Sequence, residues 1–401
     1  MPSDTKTRAF PPWLILMGLL TALGPLAIDM YLPAFPSIVH GLHTTEGKVE
    51  RTVASYLLGL ALAQLVYGPF ADRYGRKPPL IMGLLLFVGA SIACGLTDNI
   101  EHLTLWRIVQ AFGGACGMVI PRAVIRDNFE TRDAAKALSV LILVMGATPI
   151  LAPLLGGQVL VLGSWRGLFA IMAGGGTLLL CGVIWTMRES LPPGKVVALR
   201  PGTIARNYAA LLSHKRFMCY TLAGGFGSAG LFAYISGSAR VFIEIYHVDP
   251  RYFGLLFGLN AASLIIASQF SARLLNRHAP ERLLKTAQIT LACATLVGLV
   301  ITLAAGMTLT LLMLCLIAFM ASQGFVSPNA AALALAEQGG RLGVASAMLG
   351  TLQMLCGAAS GMAVSAWQST TPLPLTGMLA LCACLSWLFG RIALRDSARQ
   401  A

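Results

Sequence analysis

The sequence predicts an all-α integral membrane protein whose twelve transmembrane helices form two bundles of six. Apolar residues make up 56% of the 401 residues and charged residues only 11%, whereas about 25% of an average soluble chain is charged. Twelve apolar segments are long enough to cross a bilayer, and one long polar segment separates the first six from the last six. So few charges could not cover a water-facing surface of this size, and we therefore expect lipid to surround the chain.

The predicted spans follow from the requirement of about 20 mostly apolar residues for each membrane crossing. They cover residues 12–38, 49–70, 79–97, 103–125, 135–161, 164–187, 215–238, 252–274, 283–305, 308–334, 342–367 and 373–393. The polar segment between the sixth and seventh spans is rich in proline and glycine. We expect residues 1–187 to form an N-terminal six-helix bundle, 188–214 a cytoplasmic linker and 215–401 a C-terminal six-helix bundle. Transporters built from two repeated halves typically have this organisation.

The formal charge of +13 is a signal of topology, because Lys and Arg accumulate in the cytoplasmic loops of membrane proteins. With the N-terminus in the cytoplasm, most of the 29 Lys and Arg residues fall on the inner side. The outer segments then carry Lys48, Arg51, Arg166, Arg240 and Arg251, and the fourth span carries Arg107 and Arg122. An even number of spans places both termini in the cytoplasm.

The composition argues against several other classes of protein. The basic residues form no patch interleaved with aromatics, so we expect no nucleic-acid binding. The nine cysteines lie almost entirely in apolar runs without C-x-x-C spacing, and the six histidines lie in loops or near helix ends, so we expect no metal site. No G-x-x-x-x-G-K-[ST] motif is present, so any transport is not driven by ATP hydrolysis on this chain. We expect no cofactor and no enzymatic activity.

Asp29 is the most informative residue of the first span. A carboxylate inside a span costs at least about 2.5–3.5 kcal/mol unless it faces a cavity or a partner. The membrane interior penalises its charged form, and a carboxylate that gains and loses a proton near neutral pH is what proton coupling requires. The alternative is a structural hydrogen bond to a neighbouring helix.

Arg107 in the fourth span is the candidate counter-charge for Asp29. The first span runs outward and the fourth inward, and their positions in sequence predict a difference in depth of roughly 8 Å at 1.5 Å per residue. Direct contact is possible at this separation. The alternative is that both side chains face one aqueous cavity.

The loop between the second and third spans reads Gly68-Pro69-Phe70-Ala71-Asp72-Arg73-Tyr74-Gly75-Arg76-Lys77. Its glycines permit close helix approach and a tight reversal, and Asp72 can accept hydrogen bonds at a helix N-terminus. Such a contact would hold one half against the other at the cytoplasmic side in one conformation only, which would bias a two-state equilibrium. The alternative is a basic cytoplasmic loop with no such role.

These segments resemble the major facilitator superfamily. The loop fits that family's signature G-x-x-x-D-R-x-G-R-[KR], and the segment from Leu105 to Gly113 is similar to its fourth-helix motif. The segment Ile28-Asp29-Met30-Tyr31-Leu32-Pro33-Ala34 resembles the bicyclomycin-resistance and chloramphenicol-efflux (Bcr/CflA) branch of drug:proton antiporters, as do Arg126-Asp127 and Pro328-Asn329-Ala330. The resemblance implies that Asp29 binds the proton and the substrate, with Arg107 as its coupling partner. It also implies a cytoplasmic gate formed by Gly68, Asp72, Arg73, Gly75, Arg76 and Arg126.

Residues 152–157 resemble the antiporter motif of the fifth helix in that superfamily. Ala152 replaces the usual glycine before proline, and Ser139 and Thr148 stand where further glycines are common. The resemblance still implies a bend in this helix, because prolines remain in place to kink it. The residues of this bend are Pro149, Pro153, Gly156 and Gly157.

By this resemblance, we expect a proton-coupled multidrug efflux transporter of the bacterial inner membrane. It would act as a monomer and export small amphiphilic compounds, such as chloramphenicol- or bicyclomycin-like drugs, by alternating access. The nearest alternative is a proton-coupled exporter of a natural metabolite, such as a nucleoside, small peptide or sugar. A membrane-embedded enzyme or a receptor is an alternative from another class, but the histidines lie in the wrong places for a hydrolase.

We expect the substrate pocket to lie between the halves near the middle of the membrane. Each polar residue that could line it has an alternative role as an interhelical hydrogen bond, worth about 0.6 kcal/mol. The candidates are Tyr31, Tyr56, Gln64, Tyr234, Asn260, Gln323, Asn329 and Gln353.

Overall fold

The computed structural model describes residues 13–129, 131–191, 201–304, 306–336, 338, 342–367 and 369–400. This part of the chain is helical and contains no strand. Its α-helices are α1 (Trp13–Asp29), α2 (Phe35–Gly41), α3 (Glu46–Tyr74), α4 (Lys77–Leu96), α5 (Ile100–Asn128), α6 (Thr131–Leu162), α7 (Trp165–Thr186), α8 (Pro201–Leu212), α9 (Lys215–Ala239), α10 (Pro250–Leu274), α11 (Pro280–Leu303), α12 (Leu309–Leu335), α13 (Leu342–Ala366) and α14 (Leu373–Gln400).

Twelve helical segments in the described part of the chain are long and apolar enough to cross a membrane, which confirms the predicted number. The first of these segments comprises α1, a 3₁₀ turn at Leu32–Ala34 and α2. The break follows from the sequence, because Pro33 has no N–H to donate and disfavours helical geometry in the residue before it. α1 therefore ends at Asp29.

Several helices extend a few residues beyond the predicted boundaries, and three differences bear on the description that follows. α3 begins at Glu46 and not at residue 49, because an acidic residue in the first turn suits the helix dipole although it is not apolar. The seventh span continues past residue 238 through a π-helical segment, Arg240–Ile245. The predicted linker contains α8, with a proline at its first position as is common for helices. Residues 192–200 of the linker lie outside the described residues.

The helices form two six-helix bundles, which confirms the predicted fold class. α1–α7 pack together in the first half and α9–α14 in the second, and the halves meet mainly along two helix pairs, α3 with α13 and α6 with α10. We call the end of the molecule where α3 begins the Glu46 end, and the opposite end, where α3 leads into α4, the Asp72 end. An ion pair crosses between the halves at the Glu46 end, where Arg240 Nε lies 3.2 Å from Glu46 Oε2.

Candidate functional site

Asp29 lies at the last position of α1 with its side chain buried, only 4% of the residue being exposed. The chain beyond it, at the 3₁₀ turn Leu32–Ala34, contacts α9 and α10 of the second half. Asp29 also lies in the neighbourhood of Tyr234 on α9. The helix break thus places a carboxylate at the boundary between the two halves.

Arg107 on α5 is completely buried inside the first half. Its guanidinium stacks between two aromatic faces, 4.5 Å from the ring centre of Tyr31 and 4.2 Å from that of Tyr56. Nη1 donates to the carbonyl of Ala27 (3.0 Å) and to Oε1 of Gln110 (2.8 Å). Among the described residues, none accepts a hydrogen bond from Nε or Nη2.

Asp29 and Arg107 do not form an ion pair in this conformation, as the described ion pairs show. Arg107 instead reaches α1 two residues before Asp29, through the carbonyl of Ala27. The link between the two charged residues therefore runs through the backbone at the end of α1.

A series of hydrogen-bonded side chains supports Arg107. Gln110 Nε2 donates to Ser91 Oγ (2.8 Å) on α4 and approaches Met172 Sδ (3.5 Å) on α7. Three helices of the first half thus fix the guanidinium from one side, and the aromatic rings fix its plane. The contacts of Gln110 could not be predicted from the sequence, because they depend on the packing of α4 and α7 against α5.

The polar residues that we expect to line a pocket fall into two groups, one inside the first half and the other at the boundary or in the second half. Tyr31 and Tyr56 are buried within the first half, where Tyr31 Oη accepts from Thr52 (2.9 Å) and Tyr56 Oη donates to the carbonyl of Gly24 (3.3 Å). Both rings contact Arg107 and therefore belong to its surroundings.

Gln64 lies at the boundary between the halves, against Gly350 of α13. In the second half, Asn260 Nδ2 donates to Tyr234 Oη (3.1 Å). Asn329 Nδ2 donates to Ser271 Oγ (2.9 Å). These are the interhelical hydrogen bonds that we considered as alternative roles, and they join α10 to α9 and to α12.

Several side-chain oxygens of these candidate pocket residues could each accept a further hydrogen bond. Among the described residues, no hydrogen bond is made to Oδ1 of Asn260, Oε1 of Gln323 or Oδ1 of Asn329, although all three residues are buried. Gln323 Nε2 makes a long hydrogen bond to Ser228 Oγ (3.5 Å). Gln353 is half-buried beside Gly224. Their assignment to a substrate pocket stays a prediction.

At the Asp72 end, a network of charges is centred on Arg76. Its guanidinium donates to Asp72 through Nη1 and to Asp127 Oδ2 through Nε, the latter over 2.8 Å. Ser190 Oγ also donates to Asp127 (3.3 Å). Burial alone would lower the pKa of Arg76, but the hydrogen bonds and charges of both aspartates raise it above its ordinary value.

Glu189 joins this network from the segment after α7 and binds the start of α4. Its carboxylate accepts from the backbone N–H groups of Arg76 (2.8 Å) and Lys77 (3.0 Å), where the helix dipole favours an anion. It lies directly against Gly75, whose φ of +91° suits glycine. Burial alone would raise the pKa of Glu189, but four backbone hydrogen bonds hold it below its usual range.

These described contacts at Arg76 all lie within the first half. In this conformation Asp72 is paired with Arg76 of its own half, so the contact between halves that we expect for a closed cytoplasmic gate is not formed by this pair. Arg73 and Arg126 have exposed side chains. A side chain at Gly68 would enter open space. Asp127 and Glu189 also belong to the network, although neither was among the predicted gate residues.

The antiporter-like segment of α6 packs against the break in α1. Gly156 lies directly against the carbonyl of Met30, the residue after Asp29, so closely that a side chain there would overlap it. Gly157 faces the carbonyl of Pro250 at the start of α10, with ordinary spacing. Pro149 and Pro153 lie inside α6.

Known transporter sequences are similar to this chain over most of its length. Residues 17–361 match the profile of the Major Facilitator Superfamily. An uncharacterized MFS-type transporter of Bacillus subtilis, YdgK, is 36% identical over 93% of both chains. A bicyclomycin resistance protein homolog of Haemophilus influenzae is 31% identical over 94% of both chains. The multidrug resistance protein MdtL of Escherichia coli is 29% identical over 94% of both chains.

Solved structures share the fold at much lower identity. A D-xylose-proton symporter superposes with a TM-score of 0.72 at 13% identity, over 95% of this chain and 96% of that one. A bacterial homologue of the human lysosomal transporter Spinster, in an inward-facing and unoccupied conformation, superposes with a TM-score of 0.70 at 16% identity, over 97% and 99%.

Proposed function

Because the chain belongs to the Major Facilitator Superfamily, we propose that it is a proton-coupled drug exporter that exchanges small amphiphilic compounds for protons across a bacterial inner membrane. Relatives named for bicyclomycin resistance and multidrug resistance support this substrate class. The observation that carries the proposal is the position of Asp29, a buried carboxylate at the boundary between the halves.

Two features favour a neutral, protonated Asp29 in this conformation. The side chain is buried, which penalises charge, and it lies at the C-terminal end of α1, where the helix dipole opposes an anion. Hydration or an approaching cationic or polar substrate would favour the ionised form. Proton-bound and substrate-bound Asp29 are therefore competing states, which is the requirement for exchange.

The contacts at the two ends of the molecule support an alternating-access cycle. The positive-inside rule assigns the Glu46 end to the outer side and the Asp72 end to the cytoplasm. The ion pair between Glu46 and Arg240 joins the halves at the outer side, whereas Asp72 and Arg76 pair within one half at the inner side. We interpret this as a state closed to the outside, in which Asp29 would exchange its proton with the cytoplasm.

The test is proton-driven transport by purified protein in proteoliposomes, followed with a pH-sensitive dye enclosed in the vesicles. We expect addition of chloramphenicol or bicyclomycin to drive protons across the vesicle membrane through the wild-type protein. We expect Asp29→Asn to lose this coupling. Asp98→Asn is the matched control, because Asp98 is an exposed carboxylate paired with Arg166 in a loop. Wild-type coupling in Asp29→Asn would overturn the role of Asp29, and absence of coupling with every drug tested would overturn the substrate class.

A further inference from the structure

We propose that Glu50 is a second proton-binding site, and that its occupancy controls whether the two halves close at the Glu46 end. Asp29 serves the exchange near the middle of the molecule, whereas Glu50 lies one turn into α3 at the Glu46 end. The proposal goes beyond the exchange reaction, and it uses the proposed orientation only to assign this end to the outer side.

Glu50 is completely buried, and in the described part of the structure no hydrogen-bond donor reaches either carboxylate oxygen. The hydroxyl of Ser365 on α13 lies beside it but donates to the carbonyl of Gly361 (2.8 Å). An ionised carboxylate buried without donors costs several kcal/mol. A protonated Glu50 has no charge and carries an O–H that Ser365 Oγ can accept.

The charges around Glu50 come from both halves. Glu46 lies one turn earlier on the same helix, and Arg240 and Glu244 lie on the π-helical end of the seventh span. Arg240 pairs with Glu46 at 3.2 Å and donates through Nη2 to the carbonyl of Ser369 (2.9 Å). Glu50 and Arg240 line one small cavity together with Ser369 and other residues of the second half.

This cluster contains three carboxyl groups and one guanidinium, and the carboxyl groups of Glu244 and Glu46 lie within hydrogen-bonding reach of each other. Glu46, Glu50 and Glu244 interact electrostatically with one another and with the single cation Arg240. The other charged residues near Glu50 on α3 are Lys48, which pairs with Glu101 of α5, and Arg51, whose side chain is exposed. From α13 the facing group is the neutral Ser365.

Closure brings this cluster together and removes Glu50 from water. Repulsion among the carboxylates and the loss of hydration both oppose closure while Glu50 is ionised, and a proton bound to Glu50 removes both penalties. Separation of the halves would rehydrate Glu50 and let the proton leave to the same side from which it came. Among the described carboxylates, histidines and cysteines, no group of three or more is placed to hold a metal ion.

The experiment measures closure directly as a function of pH, without substrate. Cysteines for nitroxide labelling are introduced by His102→Cys in the first half and Thr370→Cys in the second. Both sites are exposed and lie at the Glu46 end. Pulsed electron paramagnetic resonance then measures the distance between the two labels, and so between the halves. The full chain is used in lipid nanodiscs with its native cysteines replaced. The Asp29→Asn substitution is included in every sample, so that protonation at Asp29 cannot produce the response.

In this background we expect the ratio of closed to open molecules to rise as the pH falls, by at most about tenfold per pH unit, because closure then takes up one proton at Glu50. Glu50→Gln, which mimics the protonated form with nearly the same shape, should be closed at every pH. Glu101→Gln is the matched control, because it removes an exposed carboxylate at the same end within one half, and it should respond like the parent.

Either of two results would overturn the proposal. One is a pH response that persists unchanged in Glu50→Gln or is absent from the parent. The other is a Glu50→Gln protein that opens, which would show that an ionised Glu50 holds the halves together as a partner of Arg240. Neither result would touch the role of Asp29, which the transport assay tests separately.

Discussion

Gly156→Ala should disturb the segment that carries Asp29. Gly156 packs on the carbonyl of Met30, and a Cβ would overlap that oxygen while lying 3.1 Å from the carbonyl carbon and 3.3 Å from Cα of the same residue. These are backbone atoms, which cannot rotate away as a side chain would. Either α6 or the break in α1 must therefore move by several tenths of an ångström.

The expected cost is about 1–3 kcal/mol, as for other overpacked sites. A change of 1.4 kcal/mol between two conformations alters their ratio about tenfold, so we expect a fall in both the thermal stability and the transport rate. Gly157→Ala is the control, because its nearest atom, the carbonyl oxygen of Pro250, is 3.4 Å away, an ordinary contact. Unfolding followed by tryptophan fluorescence and transport in proteoliposomes give the two readings. If Gly156→Ala and Gly157→Ala behave alike in both, the packing argument is wrong.

Three further predictions concern other parts of the molecule. Arg107→Lys keeps the charge but loses the planar stacking between two tyrosine rings, worth about 0.5–2 kcal/mol; we expect impaired transport at normal expression, and wild-type rates would contradict this. Tyr234→Phe removes the acceptor for Asn260 and should lower stability by about 0.5–1.5 kcal/mol, measured by thermal unfolding; an unchanged melting temperature would show that this hydrogen bond contributes nothing. The pKa of Glu189 is lowered in the folded protein, so its contribution is present above the ordinary value of 4.5 and is lost as the pH falls through the folded value. Glu189→Gln should therefore melt earlier than the wild type at neutral pH and converge with it in acid, and a constant difference at all pH values would contradict this.

The sequence was sufficient to predict the number of spans that the described residues show, and it singled out Asp29 as a residue that needs an explanation. Apolar segments of sufficient length identify spans without knowledge of their packing. A carboxylate in the first of them is costly enough to require an explanation. The break that places Asp29 at a helix end was not predicted, although Pro33, four residues later, accounts for it.

The partner of Arg107 could not be predicted in the same way. Position along a span gives depth in the membrane but not the direction in which a side chain points. That direction depends on how α5 packs on α1, where Gly117 lies directly against the carbonyl of Leu20. The structure accordingly places Arg107 between two tyrosines and on the carbonyl of Ala27.

Glu50 was missed for a different reason. A span predicted to begin at residue 49 places Glu50 at the water interface, where a carboxylate needs no explanation. α3 begins at Glu46 and the seventh span extends to Ile245, so Glu50 is covered by residues of the other half. Contacts between halves join segments far apart in sequence, and one sequence contains no signal that pairs them.

Proton release on addition of drug tests the central claim most directly. Purified wild-type protein in weakly buffered solution should release protons when chloramphenicol or bicyclomycin is added, because substrate displaces the proton from Asp29. Asp29→Asn should release none, and Asp98→Asn should release as many as the wild type. Undiminished release from Asp29→Asn would contradict the account, because the exchanged proton would then reside elsewhere.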